Sequence, residues 1–314
     1  MAKVVISEFM DESAVARLRQ RFDVHCDPAL VDRPQALAAL LADADALIVR
    51  NRTQVSAELL QAAPRLKVVG RLGVGLDNID LQVCEGRGVK VFPATGANAL
   101  AVAEYVIATA LMLLRGAYQS SRGVMDGEWP RPALSNGREA AGSTLAVVGF
   151  GDIGQRVAGL AKALGMKVVG YDPRLPESAP CWAQTGAQCM TLDDALRAAD
   201  VVTLHVPLVE ATRNLIDEAR LGLLKPEAIV INTARGGILD EHALAAALRA
   251  GRLGGAALDV FADEPLKHGS VLAGAPNLVL TPHIAGLTVQ SNQRVSDLVA
   301  ERVTEALLAP GERQ

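Results

Sequence analysis

The sequence has few aromatic residues and no strong excess of charge of either sign. Both features limit the classes of protein to which the chain can belong. Only 3% of its 314 residues are aromatic, whereas half are hydrophobic. The core must therefore be built from Ala, Val, Leu and Ile, which suits buried parallel strands covered by helices. The formal net charge is −4 and no run of Lys or Arg is present, which argues against a nucleic-acid-binding face. This length allows about two domains of roughly 150 residues each.

Paired cysteines, metal-ligand clusters and long hydrophobic runs are missing as well. The cysteines are scattered and form no Cys-x-x-Cys pair, which is typical of reduced thiols in a cytosolic protein; they are Cys26, Cys84, Cys181 and Cys189. The apolar stretch 101–114 contains Glu104 and is too short to span a bilayer. No His, Cys or carboxylate cluster has metal-ligand spacing, so no metal is expected. The opening MAKVVISEF predicts a strand and not a signal peptide, so we expect a cytoplasmic protein that does not bind membranes.

Short apolar runs alternate with amphipathic segments along the chain, a pattern typical of parallel sheets with helices on both faces. The first series ends at VKVFPA (89–94), with helices expected near 13–21 and 34–43. Residues 98–115 predict one long helix with almost no polar residue. We expect this helix to be buried on all sides, at a domain junction or a subunit interface. A loop rich in Gly, Pro and Trp follows over 116–142.

A second series of strands begins at Ser143 and predicts a doubly wound α/β nucleotide-binding fold, that is, a Rossmann fold. Its six predicted strands are TLAVVGF, KVVGYD, VVTLHV, AIVINTA, GAALDV and NLVLTPH. After His283 the chain forms a final helix over 290–308. The two series are interpreted as two domains with a cleft between them.

The first strand of the second series leads directly into a glycine-rich turn that opens a helix. The turn has the G-x-G-x-x-G pattern and consists of Gly149, Phe150, Gly151, Asp152, Ile153 and Gly154. Gly149 allows the tight turn, Gly151 lets a pyrophosphate approach the backbone, and Gly154 brings helix and strand together. The helix N-terminus supplies free N–H groups and a positive dipole end. This context predicts a dinucleotide site.

An acidic residue follows the next strand, as a dinucleotide site requires. Asp172 lies 18 residues after Gly154 (172 − 154), close to the spacing of about 20 in such sites. It would accept hydrogen bonds from the adenosine ribose hydroxyls and repel a 2′-phosphate, which favours NAD over NADP. Arg174 could instead meet a phosphate, so the strictness of this preference stays open.

Three further strand ends carry charged or titratable residues: Arg235 in NTARGG, Glu264 in LDVFADEP and His283 in LTPHIAG. In an open α/β sheet the carboxyl ends of the strands line the ligand crevice. A histidine there is the natural base for a hydroxyl proton, and a carboxylate partner would fix its tautomer. Arg235 would grip a substrate carboxylate or C2 oxygen, because an unpaired buried guanidinium costs several kcal/mol. We expect hydride transfer coupled to proton transfer.

Taken together, Asp172 and the motifs GFGDIG, LHVPL (204–208), NTARGG, LDVFADEP and TPHIAG resemble the D-isomer-specific 2-hydroxyacid dehydrogenase family over nearly the whole chain. The resemblance implies a nucleotide domain (99–288) inserted into a flavodoxin-like substrate domain (1–98 and 289–314). It also implies a homodimer formed through the nucleotide domain, with His283 as acid/base, Glu264 as its partner and Arg235 on the substrate. The residues that it places along the cofactor are Val206, Pro207, Thr233, Asp259, which would lie by the nicotinamide, and Gly286.

The same resemblance assigns the substrate to the first domain. The turn GRLGVGLDNID (70–80) would offer the backbone N–H groups of Val74 and Gly75 to a carboxylate, with Asn98 nearby. The order in ALIVRNRTQV (46–55) resembles phosphoglycerate dehydrogenases, in which the residue matching Arg50 meets the phosphate. The alternative for Arg50 is an ordinary surface salt bridge.

A substrate with a second anion at C3 follows if Arg50 has this role. Phosphate is one such group, and sulfonate is another, because the first strand and the RNRT element also resemble sulfolactate dehydrogenases of the family. A glyoxylate/hydroxypyruvate reductase would not need Arg50. An NAD-sensing, corepressor-like binding protein of the same fold is the alternative outside enzymes.

Overall fold

A computed structural model describes residues 1–309 of the chain, which divide into two compact units. The discontinuous unit consists of Met1–Asn98 and the chain from Leu287 onward. The inserted unit is Ala99–Gly286. Residues 310–314 of the predicted substrate domain lie outside the described residues.

The discontinuous unit contains a five-stranded parallel sheet in the order β2-β1-β3-β4-β5. This order is the flavodoxin-like one, in which the strand sequence reverses direction next to the first strand. Its first elements are β1 (Lys3–Ile6), α1 (Glu12–Arg19), β2 (Asp23–Cys26), α2 (Pro34–Leu41), β3 (Ala46–Val49), α3 (Ala57–Gln61), β4 (Val68–Arg71), α4 (Leu81–Gly86) and β5 (Lys90–Pro93).

The inserted unit contains a seven-stranded parallel sheet. Its elements are α5 (Ala99–Arg115), α6 (Ser121–Met125), β6 (Thr144–Val148), α7 (Asp152–Ala163), β7 (Lys167–Tyr171), α8 (Pro180–Thr185), β8 (Gln188–Cys189), α9 (Leu192–Ala198), β9 (Val201–Leu204), α10 (Glu218–Leu221), β10 (Ile229–Asn232), α11 (Glu241–Arg249), β11 (Gly255–Leu258) and β12 (Leu278–Leu280). The chain then returns to the discontinuous unit in α12 (Val289–Leu308).

The strand order of the inserted sheet is β12-β11-β10-β9-β6-β7-β8, so the order reverses between β6 and β9. Doubly wound folds bind their ligands at the point where the strand order reverses. The strand order also confirms the predicted fold class. The sequence interpretation missed one strand, β8, because two residues are too short for an apolar run to be recognised.

The register of this sheet brings five strand ends to one edge. Val148 of β6 and Asn232 of β10 both pair with Leu204 of β9, and Leu258 of β11 pairs with Asn232 and with Leu280 of β12. The residues that follow these strands therefore emerge side by side, which is how segments far apart in the chain meet.

Aliphatic side chains fill both faces of each sheet, as the shortage of aromatic residues predicts. Along β6, Leu145 and Val147 point to one cluster while Ala146 and Val148 point to the other, which is the two-residue period of a strand buried on both faces. Within residues 1–309, no helix is both long enough and apolar enough to pass through a bilayer.

We expect the helix at 98–115 to be buried on all sides, at a domain junction or a subunit interface, and within this chain one of its faces is buried. One face of α5 packs on the inserted sheet through residues such as Val102 and Val106. The opposite stripe, formed by Leu100, Glu104 and Ala108, is exposed. These three positions are four residues apart and share one face, so an overall apolar composition concealed a helix with two different faces.

Candidate active site

The glycine-rich turn after β6 has the geometry of a phosphate-binding loop. Gly149 has a φ of 95°, and a Cβ there would lie 2.6 Å from the carbonyl carbon of His205. A Cβ on Gly154 would lie 2.2 Å from the carbonyl oxygen of Gly149, so neither glycine tolerates a side chain. Gly151 at the start of α7 faces open space instead. The turn thus leaves room beside the helix N-terminus, where anions bind.

Asp172 follows β7 and is buried next to this turn, with 8% of its surface exposed. The Phe150 N–H donates to Asp172 Oδ2 and the Arg174 N–H donates to Oδ1, both at 3.0 Å. The Arg174 guanidinium lies 3.8 Å from the same Oδ1. Because a carboxylate has about four acceptor positions, Asp172 can bind ribose hydroxyls while it holds the glycine turn in place.

Thr233, predicted to lie along a cofactor, has a hydroxyl that is buried without a hydrogen-bond partner among residues 1–309. An unsatisfied buried polar group costs about 1–3 kcal/mol, so this hydroxyl fits a site that a polar ligand completes. Val206 is buried and Pro207 is exposed. The Pro207 carbonyl accepts from Thr212 Oγ1 at 2.6 Å.

His205 precedes these residues and follows β9 directly. Burial lowers the pKa of His205 to about 3, because desolvation disfavours the charged imidazole. Its Nε2 lies 2.9 Å from Thr203 Oγ1. The ring of His205 is therefore neutral near neutral pH, and its backbone carbonyl is the group against which Gly149 packs.

Glu264 and His283, 19 residues apart in the chain, form a hydrogen-bonded pair. His283 Nδ1 lies 2.8 Å from Glu264 Oε2, and the other carboxylate oxygen accepts from the Phe261 N–H at 3.0 Å. Both side chains are partly exposed, at 39% for His283 and 33% for Glu264. A carboxylate that fixes a solvent-accessible imidazole is the arrangement required for acid/base catalysis.

Arg235 lies in a turn that contacts the loop carrying Glu264. A Cβ on Gly236 would lie 1.8 Å from the carbonyl oxygen of Phe261, so the two backbones are in direct contact. Asn232, at the end of β10, holds the turn: its Nδ2 donates to the Arg235 carbonyl at 2.9 Å and its Oδ1 accepts from Ala234 N at 3.0 Å. The half-buried Arg235 guanidinium donates to the Ala234 carbonyl at 2.6 Å.

Asp259 is almost fully buried and organises the segment that carries His283. Its carboxylate accepts hydrogen bonds from Thr281 Oγ1 at 2.6 Å and from the backbone N–H groups of Ile284 and Ala285, both at 2.8 Å. The resemblance assigns Asp259 to the nicotinamide. In the structure, its carboxylate lies under the turn 281–285, which leads to the half-buried Gly286.

In the discontinuous unit, Arg50 follows β3 and is held from several sides. Its Nη2 donates to Asn292 Oδ1 at 2.7 Å, and its guanidinium carbon lies 5.9 Å from the ring centre of Phe9. Burial lowers the pKa of Arg50, although the group stays protonated near neutral pH. Its neighbour Arg52 instead forms an exposed ion pair with Asp32.

Glu8 fixes the backbone around Arg50. This buried carboxylate accepts from the N–H groups of Arg50 at 2.8 Å, Thr53 at 2.9 Å and Arg52 at 3.2 Å. Glu8, Asn292 and Asn232 were not predicted from the sequence to belong to a site. Glu8 and Asn232 lie at strand ends and could have been found on that ground, whereas Asn292 lies on α12 and has no such signal.

The remaining predicted substrate residues lie in the discontinuous unit. Val74 is exposed and Gly75 is half-buried, in the turn after β4. Asn98 Oδ1 is buried and has no hydrogen-bond partner in the described part of the chain, which marks a second polar atom that a ligand could satisfy. Across residues 1–309, no group of three or more His, Cys, Asp or Glu residues is arranged to hold a metal ion.

The fold is doubly wound, and one edge of its sheet carries a dinucleotide turn, an imidazole–carboxylate pair and an arginine. Together these features define a class of protein, the nicotinamide-dependent dehydrogenases. Residues 107–285 match the model of the D-isomer specific 2-hydroxyacid dehydrogenase, NAD binding domain. The chain belongs to the D-isomer-specific 2-hydroxyacid dehydrogenase family and is an NAD-dependent oxidoreductase.

The chain is similar to proteins that are named for different substrates. The chain is 52% identical to the (S)-sulfolactate dehydrogenase of Chromohalobacter salexigens over 98% of this chain and 99% of that protein. It is 38% identical to the D-3-phosphoglycerate dehydrogenase of Synechocystis sp. over 98% of this chain, but spans only 54% of that protein. It is 34% identical to the hydroxypyruvate reductase of Thermotoga maritima, over 97% and 98% of the two chains.

Solved structures agree with this assignment. A protein from Thermus thermophilus has a TM-score of 0.87 and 36% identity, over 97% of this chain and 96% of that one. The NAD-dependent formate dehydrogenase of Staphylococcus aureus, solved in complex with NAD, has a TM-score of 0.82 and 26% identity, over 100% and 98% of the two chains.

The position of Asp172 predicts a selective loss of cofactor affinity. Asp172→Ala should raise the Kd for NADH by a factor on the order of 10 or more, because hydrogen bonds to the ribose are lost. The Kd for NADPH should change much less, since the repulsion of a 2′-phosphate disappears at the same time. Fluorescence titration of both cofactors measures this, and a parallel loss for NADH and NADPH would refute the ribose assignment.

Proposed function

We propose that the chain interconverts a 2-hydroxy acid bearing a second anion at C3 with its 2-keto acid, and that this anion is a sulfonate. The observation that carries the proposal is Arg50, a half-buried cation whose guanidinium donates to the uncharged Asn292 amide. The nearby Glu8 carboxylate offsets part of the cost of burying this guanidinium, and an anion bound beside Arg50 would stabilise it further. The 52% identity to an (S)-sulfolactate dehydrogenase over almost the full length of both chains supports the choice of sulfonate.

A phosphate at C3 is the second candidate, supported by the similarity to D-3-phosphoglycerate dehydrogenases. The charge balance around Arg50 favours the sulfonate. The Glu8 carboxylate adds a negative charge at the loop that carries Arg50, where it accepts hydrogen bonds from the backbone. The positive charge of Arg52 is already paired with Asp32. A sulfonate carries one negative charge, whereas a phosphate monoester carries nearly two at neutral pH, and more cations would be needed to offset the second charge.

Proton transfer is assigned to His283. Its Nδ1 faces Glu264 at 2.8 Å, so in the neutral ring Nδ1 carries the hydrogen and Nε2 is left to accept the proton of the substrate hydroxyl. The Glu264 carboxylate then stabilises the imidazolium that forms. In the reverse direction the same Nε2 returns the proton to the oxygen of the keto group.

Substrate orientation is assigned to Arg235, Val74, Gly75 and Asn98. The planar guanidinium of Arg235 would bind the C1 carboxylate or the C2 oxygen by paired hydrogen bonds. The backbone N–H groups of Val74 and Gly75 would bind the carboxylate, and the orphaned Asn98 Oδ1 would accept from a substrate hydroxyl.

The cofactor fits the residues at the edge of the inserted sheet. Bound NAD would supply the acceptor for the hydride from C2. The turn from Gly149 through Asp152 and Ile153 to Gly154 would hold the pyrophosphate, and Asp172 the ribose. The residues assigned to the remainder of the cofactor are Val206, Pro207, Thr233, Asp259 and Gly286.

The identity of the substrate is tested by NADH oxidation with a panel of keto acids. We expect the highest kcat/KM with 3-sulfopyruvate, ahead of 3-phosphohydroxypyruvate, hydroxypyruvate, glyoxylate and pyruvate. Arg50→Ala should raise KM for 3-sulfopyruvate by a factor on the order of 100, through loss of a charge-assisted contact, and should hardly affect pyruvate. The neighbouring Arg52→Ala is the matched control and should affect neither. Equal effects of Arg50→Ala on charged and uncharged substrates would contradict the second-anion assignment.

The role of His283 is tested by turnover. His283→Ala should lower kcat by a factor on the order of 100 or more, because no side chain is left to accept the proton of the substrate hydroxyl. NADH binding, measured by fluorescence, should be retained. Turnover close to that of the unaltered protein would rule out His283 as the proton carrier.

We further propose that the chain acts in the cytoplasm as a homodimer formed through the inserted unit. The four cysteines are free thiols, as expected in a reducing compartment. Tyr118, Met125 and Trp129 are between 65% and 80% exposed in the segment after α5, and large exposed apolar side chains are typical of subunit interfaces. Sedimentation equilibrium tests this proposal, and a monomer at micromolar concentration would contradict it.

A further inference from the structure

Two hydroxyl groups connect α5 to the turn that carries His283. Tyr105 Oη lies 2.6 Å from Thr281 Oγ1, and Thr281 Oγ1 donates to Asp259 Oδ1 at 2.6 Å. A threonine hydroxyl has a single hydrogen, and here the acceptor-only carboxylate takes it. Tyr105 must therefore donate to Thr281, so the hydrogen bonds run in one direction from Tyr105 through Thr281 to Asp259.

Asp259, the last residue in this series of hydrogen bonds, binds the backbone at His283 and at the two residues that follow it. Its carbonyl oxygen accepts from the His283 N–H at 2.8 Å, and its carboxylate accepts from the N–H groups of Ile284 and Ala285. The orientation of the carboxylate is thus coupled to the conformation of the turn.

The turn needs such a constraint, because His283 has a φ of +56°. This left-handed conformation is uncommon for residues other than glycine, although histidine adopts it more often than most, so contacts that hold the backbone there stabilise the turn. The conformation determines where the imidazole leaves the backbone, and hence whether Nδ1 reaches Glu264 Oε2 at 2.8 Å.

Tyr105 is suited to be a permanent donor. It is half-buried on α5, and burial raises its pKa, so its hydroxyl remains protonated near neutral pH. Helix α5 is itself anchored in the core of the inserted unit by Val102 and Val106. The hydrogen bonds through these two hydroxyl groups thus connect the turn to α5, a helix that carries no other part of the site in the inserted unit.

We propose that Tyr105 and Thr281 are positioning residues for acid/base catalysis: they fix the Asp259 carboxylate, which in turn holds His283 in the conformation that meets Glu264. This inference rests on the role of His283 proposed above. A purely structural role, in which the hydroxyls only satisfy a buried carboxylate, would change stability and leave the catalytic step intact.

Variants that change only hydroxyl groups separate the two roles. Thr281→Val, which keeps the shape, should lower kcat by a factor of about 10 or more through misplacement of the imidazole, with the Kd for NADH unchanged. Thr281→Ser, which keeps the hydroxyl, should stay within about threefold of the unaltered enzyme. Tyr105→Phe should give a smaller decrease, because Thr281 still reaches Asp259, and it replaces Thr281→Val as the test if that variant fails to fold.

Thr185→Val is the matched control for stability. Its hydroxyl donates to the Cys181 carbonyl at 2.7 Å on α8 and also contacts the Trp182 carbonyl; neither group is assigned to proton transfer, so the variant should lower Tm without lowering kcat. If Thr281→Val behaves like this control, with a lower Tm and an unchanged kcat, the inference is overturned.

A double-mutant cycle with His283→Ala completes the test. If Thr281 acts through His283, adding Thr281→Val to the His283→Ala variant should lower kcat by less than about twofold. The reason is that the effects of residues that act as one unit are not additive. A full additional loss would overturn the inference and leave the role of His283 intact. Retained turnover in His283→Ala alone would instead refute the proposed function, so the two failures are distinguishable.

Discussion

The constraint on which the site of the inserted unit depends is the parallel register of its sheet. Because Leu204, Asn232, Leu258 and Leu280 are aligned across neighbouring strands, whatever follows each strand emerges at the same edge. The backbone amides of the sheet are satisfied within it, so this edge is rigid and can present side chains without rearrangement. Residues up to 56 positions apart in the chain, such as Gly149 and His205 (205 − 149), thereby become neighbours.

Buried carboxylates at strand ends make the same kind of hydrogen bond to a neighbouring loop in both units. Glu8, after β1, accepts from the backbone after β3, Asp172, after β7, accepts from the turn after β6, and Asp259, after β11, accepts from the turn after β12. In each case the acid at the end of one strand holds the loop of the adjacent strand. Charge-assisted hydrogen bonds to backbone N–H groups are stronger than neutral ones, so these acids fix the loops that carry Arg50, the dinucleotide turn and His283.

Much of this organisation could be predicted from the sequence, and the exceptions have physical causes. The alternation of apolar runs predicted both sheets, and the motifs around Gly149, Asp172, Glu264 and His283 marked residues that the structure places at strand ends. The exposed face of α5 was missed because only one of its three residues, Glu104, is charged, while Leu100 and Ala108 are apolar. The partner of Arg50 was missed because Asn292 is 242 residues away on α12, and no local pattern encodes that contact.

The sequence by itself determined the fold class, the dinucleotide turn and the residue types available for catalysis, because strand periodicity and glycine spacing are local properties. Only the tertiary structure decided which groups meet: the 2.8 Å contact between His283 and Glu264, and the packing of Gly236 on the backbone at Phe261. It also showed that Asp259 serves the turn around His283. These contacts join different strands, so they arise from the register of the sheet and not from neighbouring residues in the chain.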